Sequence, residues 1–260
     1  MPAMTARAIF LFGSRLRPCP YIAGREERNV AAELPPENAR DIYDAAIRAG
    51  FRRSHDIIYR PACPGCEACV PVRIDLGGFV PRRSLARTAR RNSGLTVRVI
   101  SPPQASDEYF ALFRRYQNTR HAGGGMDRMT EGEFQGLMRS SPVETFGAEF
   151  RDAAGKLLGV MLADVVGDGV SAVYSFFDPA RERDGLGTYM VLWLADYAKT
   201  LNLGYVYLGY WIARSPKMAY KARFRPLEAL HPRDGWVPFA PDIERVGSES
   251  GPSQTANSQN

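Results

Sequence analysis

Leu157-Leu158-Gly159-Val160-Met161-Leu162-Ala163-Asp164-Val165-Val166-Gly167-Asp168-Gly169-Val170-Ser171-Ala172-Val173-Tyr174-Ser175-Phe176-Phe177 decides the architecture of this chain. It holds two apolar runs, residues 157–166 and 171–177, hinged at Gly167-Asp168-Gly169. Such a pattern spells two antiparallel strands joined by a tight turn. Upstream, residues 145–151 form a third strand candidate, with a turn around Gly155. Downstream come a loop with Gly185 and Gly187, a long helix over about 188–201, a strand at 205–210 and a further helix over 215–224.

Two helices precede the strands. Ser106 caps the first, whose apolar face carries Tyr109, Phe110, Phe113 and Tyr116. Thr130-Glu131-Gly132-Glu133 has the reciprocal capping-box pattern for the second, with Phe134, Leu137 and Met138 inward. His121-Ala122-Gly123-Gly124-Gly125 is the flexible loop between them. Helices, antiparallel strands, a glycine turn, a helix and a strand follow the order of the GNAT acyltransferase fold. An α+β domain with a mixed, mostly antiparallel sheet is therefore expected.

The region before it reads as a smaller α+β unit. A helix is expected over 37–49, with Ala39, Ile42, Ala46 and Ile47 on one stripe and Gly50 as its stop. Residues 56–60 and 70–76 suggest strands, and Pro71 would place the second at a sheet edge or a strand start. A short helix over 84–92 carries Arg87, Arg90 and Arg91. Ser101-Pro102-Pro103 marks a boundary. The division expected is 1–100 for a basic, cysteine-containing domain, 101–246 for the acyltransferase-like domain and 247–260 for a tail too polar to form a core.

The net charge of +6 is unevenly spread. Residues 1–100 carry 17 Arg and no Lys against 9 Asp/Glu, whereas the remainder carries 17 Lys/Arg against 19 Asp/Glu. A guanidinium fork suits bidentate phosphate contact, so an arginine-rich face points to a nucleic-acid partner. Arg52, Arg53, Arg87, Arg90 and Arg91 are the candidate phosphate contacts. No apolar run is long enough to span a membrane. The start of the chain lacks the layout of a signal peptide. A cytoplasmic protein is expected.

Cys63-Pro64-Gly65-Cys66-Glu67-Ala68-Cys69 groups three of the four cysteines. Clustering of this kind points to metal or redox chemistry in a reducing compartment rather than to a disulfide framework. A C-x2-C pair can set two thiolates on one ion. Three thiolates leave a tetrahedral site one ligand short, and Cys19 can complete it. The expectation is zinc, an iron–sulfur cluster or a metal-free turn.

Several multi-residue words carry a family resemblance. They are Cys19-Pro20-Tyr21-Ile22-Ala23-Gly24-Arg25, Gly50-Phe51-Arg52-Arg53-Ser54 and the run from Tyr59 to Arg73 around the cysteines. Further along stand Tyr174-Ser175-Phe176-Phe177-Asp178-Pro179, Leu186-Gly187-Thr188-Tyr189 and Tyr207-Leu208-Gly209-Tyr210-Trp211-Ile212. Last comes Lys217-Met218-Ala219-Tyr220-Lys221-Ala222-Arg223-Phe224-Arg225-Pro226. Together they resemble the arginyl/leucyl-tRNA–protein transferases over about residues 8–245, and the compact length resembles the bacterial leucyl branch.

The resemblance implies an aminoacyl-tRNA donor, Leu-tRNA before Arg-tRNA, and a protein acceptor with an N-terminal Asp or Glu. It implies a role in marking proteins for degradation through an N-degron pathway. The reaction is aminolysis of an activated ester and needs no cofactor. The attacking α-amine must be neutral, and such groups titrate near pH 7.7–8.0. Asp178, at a strand end, is the expected base, with a turn-capping Asp as the alternative. Tyr174, Arg214, Lys217, Tyr220, Lys221 and Arg223 are expected around the acceptor, where a cation would meet its carboxylate. Lys217 and Lys221 stand four apart, on one face of a helix. Tyr207, Tyr210 and Trp211 are either stacking surfaces for the tRNA end or core aromatics. His55, His121 and His231 lack metal-ligand spacing and read as structural.

Two other classes remain. Glu182-Arg183-Asp184-Gly185-Leu186-Gly187 falls where coenzyme A-dependent relatives hold a pyrophosphate on a helix N-terminus. A glutamate at its first position argues against an acetyl-CoA-dependent N-acetyltransferase and for the tRNA 3′ end. A zinc-stabilised nucleic-acid binder would explain the cysteines and arginines and leave the C-terminal half without a task.

Overall fold

The computed structural model describes residues 9–241, so the tail expected over 247–260 lies outside the described residues. The N-terminal elements are β1 (Phe12–Gly13), β2 (Arg17–Pro18), β3 (Glu26–Glu27), β4 (Asn29–Glu33), α1 (Ala39–Arg48), β5 (Arg52–Ser54) and β6 (Ile57–Pro61). Strands β1, β4, β6 and β5 form a small sheet in that order, and β2 and β3 a separate hairpin. Helix α1 buries Ala39, Tyr43, Ala46 and Ile47. At its end Gly50 takes φ +84°, the left-handed conformation that stops the helix and returns the Phe51 N–H to the Ala46 carbonyl.

The chain continues through β7 (Val70–Asp75), α2 (Arg83–Arg91), β8 (Thr96–Ile100), α3 (Asp107–Arg120), α4 (Glu131–Arg139), β9 (Thr145–Arg151) and β10 (Leu157–Val166). It ends with β11 (Gly169–Phe177), α5 (Leu186–Thr200), β12 (Tyr205–Trp211), α6 (Pro216–Ala219), β13 (Leu227–His231) and β14 (Gly235–Pro238). An eight-stranded sheet runs in the order β14-β13-β7-β12-β11-β10-β9-β8. Every neighbouring pair is antiparallel except β11 and β12, which α5 joins by a crossover. This is the expected GNAT-like α+β arrangement.

The helix starts follow their sequence signals. Ser106 Oγ accepts the Tyr109 N–H at 3.2 Å, and Thr130 and Glu133 complete the reciprocal capping box. Strand β10 is buried along nearly its whole length. Residues of both its faces, from Leu157 to Ala163, lie in the large core with α3 and α5; at its end Val166 joins the second core with α1. A strand covered on both faces reads as a continuous apolar run, as residues 157–166 do.

One expectation fails here. The boundary near residue 100 does not separate the sheets, because β7 and β8, both before it, belong to the eight-stranded sheet. β7 is an inner strand, between β13 and β12, and Pro71, its second residue, takes the strand-start place, one of the two expected for it. Pairing with β13 runs from Ile74 to Val72 and stops there, so Pro71 faces only β12 and its missing N–H disrupts no ladder.

Candidate active site

Strands β11 and β12 pair at Gly169↔Tyr205, Val170↔Val206 and Ser171↔Tyr207, and no further. Beyond that point they part, and a V opens toward their C-terminal ends. The β10–β11 register slips between Leu162 and Ala163, which leaves Val173 without a partner residue. A bulge at this position frees backbone polar groups where the strands diverge.

Arg52 fills the apex of the V. It comes from β5 of the small sheet and donates from Nη1 to Ser171 Oγ at 3.1 Å and from Nη2 to the Ala172 carbonyl. The Tyr43 hydroxyl donates to the same Ser171 Oγ at 3.3 Å. Gly209 makes room: at φ +74°, a Cβ there would sit 2.9 Å from Arg52 Nε. Arg53 goes the opposite way. Its Nε and Nη2 reach Asp164 Oδ2 and Oδ1 at 2.8 and 2.7 Å, and Thr145 donates to the same carboxylate. Neither arginine is a surface phosphate contact as the basic composition suggests. Alternation along a strand sends Arg52 into the V and Arg53 into a buried ion pair.

Lys221 lies behind β12, only 6% exposed, with Nζ donating to the Tyr210 carbonyl at 2.6 Å. Burial and the Arg52 charge hold its ammonium down at about 7, with Cys69 acting weakly the other way. Lys217, by contrast, is exposed and caps α3 by donating to the Arg120 carbonyl at 3.3 Å. The single face expected for Lys217 and Lys221 is absent. α6 lasts one turn and passes into a 3-10 turn over Tyr220–Arg223, in which residues four apart point about 120° from one another. Arg214 and Arg223 are exposed and away from this interior.

The α3 side of the V is aromatic and polar. Gln117, buried, donates from Nε2 to the Tyr174 hydroxyl, and its Oε1 has no partner. Trp211 Nε1, at the end of β12, is likewise buried and unmatched. Buried polar atoms of this kind mark places a ligand can satisfy. His121 lies 3.4 Å from the Tyr116 hydroxyl; burial, then Lys217 and Arg120, keep its pKa below the usual histidine range. The Tyr116–Gln117–His121 group is not among the sequence-based candidates. Its one signal is a glutamine on an otherwise apolar helix face.

Asp178 is committed elsewhere. Its Oδ1 accepts the Ala180 N–H as the cap of a 3-10 turn, and its Oδ2 meets Lys156 Nζ at 2.9 Å. Burial opposes ionisation, but Lys156 and the Ala180 N–H outweigh it and lower the pKa. A carboxylate held this way is a poor proton acceptor, so the structure gives Asp178 the capping role. Tyr207 and Tyr210 are also core residues. Tyr207 donates to Asp168 and accepts from Arg73, and Tyr210 donates to the Gly50 and Tyr59 carbonyls.

Arg87, Arg90 and Arg91 are exposed on α2, together with Arg82 just before it and Arg83. The C-terminal end of this helix is tied to the glycine turn before α5: Arg91 donates to the Arg183 carbonyl at 2.6 Å and Asn92 to that of Asp184 at 2.9 Å. Glu182 in the same turn is paired with Arg120.

The cysteines gather beside the β2–β3 hairpin. Arg28 N–H points at Cys63 Sγ at 3.5 Å, and Arg25 bridges to the Gly65 carbonyl at 3.1 Å. Burial first, then the nearby Cys63, Cys19 and Cys66, push the Cys69 thiol up to about 12. The four are thus neighbours. Among the described residues, however, no three His, Cys, Asp or Glu side chains stand at metal-holding spacing. No described helix is long and apolar enough to cross a membrane.

Two family models match the chain. One, described as the N terminus of arginine-tRNA-protein transferase, matches residues 17–87, and its C-terminal counterpart matches 108–231. A protein of Paramagnetospirillum magneticum named aspartate/glutamate leucyltransferase is 52% identical over 235 residues, covering 90% of this chain and 96% of that protein. Proteins of the same name from Rhodospirillum rubrum and Sphingopyxis alaskensis are 46% and 48% identical, covering 90% and 89% of this chain and 94% and 92% of theirs.

Proposed function

From the chain's membership of the arginine-tRNA-protein transferase family, we propose that it moves leucine from Leu-tRNA onto the N-terminal Asp or Glu of acceptor proteins. The carrying observation is its near full-length match to proteins named aspartate/glutamate leucyltransferase. The neutral α-amine attacks the ester carbonyl. A C–N bond forms, the ester C–O bond breaks, the terminal ribose hydroxyl leaves and the amine gives up a proton.

The V between β11 and β12 is the transfer site in this reading. Three features support it: the free backbone at the Val173 bulge, the unmatched Gln117 Oε1 and Trp211 Nε1, and the aromatic wall that includes Tyr174 and Tyr220. Holding two reactants there supplies most of the acceleration, since the ester is already activated. The arginines of α2 and its neighbour turn suit tRNA phosphates on the approach to the same site. Lys217, Arg214 and Arg223, all exposed, would belong to protein or tRNA contact.

The cysteine lobe is an accessory to this chemistry. Cys19, Cys63, Cys66 and Cys69 would hold zinc or an iron–sulfur cluster after closing up around it. The thiol clustering and the Arg28 N–H aimed at sulfur support that reading. Cytoplasmic placement, where charged tRNA is made, belongs to the same proposal, as does the marking of acceptors for degradation.

The family description itself keeps arginine as a second donor. One assay decides: labelled Leu-tRNA, Arg-tRNA or acetyl-CoA with peptides beginning Asp, Glu, Lys or Ala. Leucine should pass to the Asp and Glu peptides alone. Labelling from Arg-tRNA only would replace the donor, and labelling from acetyl-CoA only would end the reading.

A further inference from the structure

Arg52 differs from the other arginines drawn into the large sheet. Arg53 meets Asp164, Arg73 meets Glu228, and Arg151 meets Glu108 and Glu149. Arg52 meets only a hydroxyl and a carbonyl, and among the described residues no carboxylate pairs with it. Its guanidinium has five N–H donors in a fixed fork. Those not used by Ser171 and Ala172 have no acceptor among the described residues. Lys221 is its neighbour through β12: Gly209 lies against Arg52, and the next residue, Tyr210, accepts from Lys221 Nζ, which also meets a thioether but, among the described residues, no carboxylate. Arg52 is half-buried and Lys221 buried, and two such cations without an anion are costly, because burial weakens hydration and each opposes the other.

We propose that Arg52 is the specificity residue that reads the acidic side chain at the acceptor's first position, with Lys221 as the second cation of the subsite. The acceptor's carboxylate would take the free side of the Arg52 fork and balance both charges. The small N-terminal sheet would thereby supply the selectivity and the β11–β12 V the reaction. An uncharged Asn or Gln at the first position would leave the cations unbalanced and be rejected. Gly209 belongs to the same device, since its left-handed backbone leaves room for the Arg52 stem. The leucyl-transfer reading enters only in naming the acceptor.

The test measures binding by calorimetry, with no tRNA present, on the full chain. Peptides identical except for a first residue of Asp, Glu, Asn or Ala are titrated into wild type, Arg52→Gln, Arg52→Lys and Lys221→Met. Wild type should prefer Asp and Glu by about 10- to 100-fold, the range for a charged hydrogen-bonded contact. Arg52→Gln should bring all four peptides within about threefold, through loss of the acidic ones only. Arg52→Lys should keep part of the preference. If Arg52→Gln fails to give a cooperative melt, Lys221→Met carries the test and should reduce the preference by a smaller factor. A folded Arg52→Gln with the wild-type ratio, or a wild type without preference, overturns the proposal. Wild type that prefers acidic peptides yet moves no leucine leaves this proposal standing and ends the transfer reading. Leucine transfer with an unchanged ratio in Arg52→Gln does the reverse.

Discussion

The Arg53 guanidinium and the Asp164 carboxylate face each other in two parallel hydrogen bonds, with side chains 1% and 0% exposed. The pair rivets β5 of the small sheet to β10 of the large one. Removing one partner strands the other as a buried charge, at a cost of about 3–5 kcal/mol. Arg53→Met should lower unfolding stability by that amount in a denaturant titration. The double change Arg53→Met with Asp164→Leu should cost clearly less than the two singles together. Additive losses would show that the two side chains do not act as a pair.

Asp178→Asn retains an acceptor for the Ala180 N–H and loses only the ion pair with Lys156, which is largely exposed. A pair open to solvent on its lysine side contributes about 1 kcal/mol. Leucine transfer by this variant should stay within about threefold of wild type, a span equal to less than 1 kcal/mol of barrier. A hundredfold loss at unchanged melting temperature would return the base role to Asp178.

The strand–turn–strand run from Leu157, the helix caps and the crossover helix were legible because each depends on local signals: period, turn glycines and a capping residue. β13 and β14 had no such signal, and β7 was misplaced because its neighbours come from the far end of the chain. The site was legible only in part. Tyr174 lies on β11 and Lys221 bonds to the Tyr210 carbonyl of β12, the two strands that part, whereas Arg52 and Arg53 looked alike. Side-chain direction on adjacent strand residues decides between a throat and a rivet, and composition does not record it. Gln117 was missed because one polar residue on an apolar face is a weak pattern until its orphaned oxygen is seen.

Arg87 and Arg90 stand on a helix that carries no acidic residue. If they meet tRNA phosphates, the double change Arg87→Gln with Arg90→Gln should weaken tRNA binding and flatten its salt dependence. Each lost contact should change the slope of log K against log salt by about 0.7–0.9. Charged and uncharged tRNA should be affected equally in filter-binding assays, and peptide binding left unchanged. An unaltered slope would remove α2 from the tRNA interface.

Lys221 gives stability a pH signature. Burial, helped by Arg52, lowers its pKa from 10.5 to about 7 in the folded chain. Above 10.5 both states hold a neutral amine. As pH falls below that value the unfolded chain takes up a proton that the folded chain does not, and stability drops. The drop is complete below about 7, where both states are charged. Lys221→Met should therefore gain stability over wild type near neutral pH, on the order of a few kcal/mol, and lose the rise between pH 7 and 10. Parallel curves for the two proteins would contradict a depressed Lys221.

The inner position of β7 also governs how the chain is made. Strand 70–75 leaves the ribosome with both edges bare, and its partners at 205–211 and 227–231 follow more than a hundred residues later. At roughly 5–20 residues per second, that is a wait on the order of ten seconds or more. During it, an unpaired strand preceded by three cysteines is open to strand-to-strand association between neighbouring nascent chains. Expression at slower translation, or as fragments split near residue 100, should thus fail by aggregation before any loss of catalysis can be scored. Supplying residues 101–241 in trans during synthesis should rescue the first half only if β12 arrives before that association sets in.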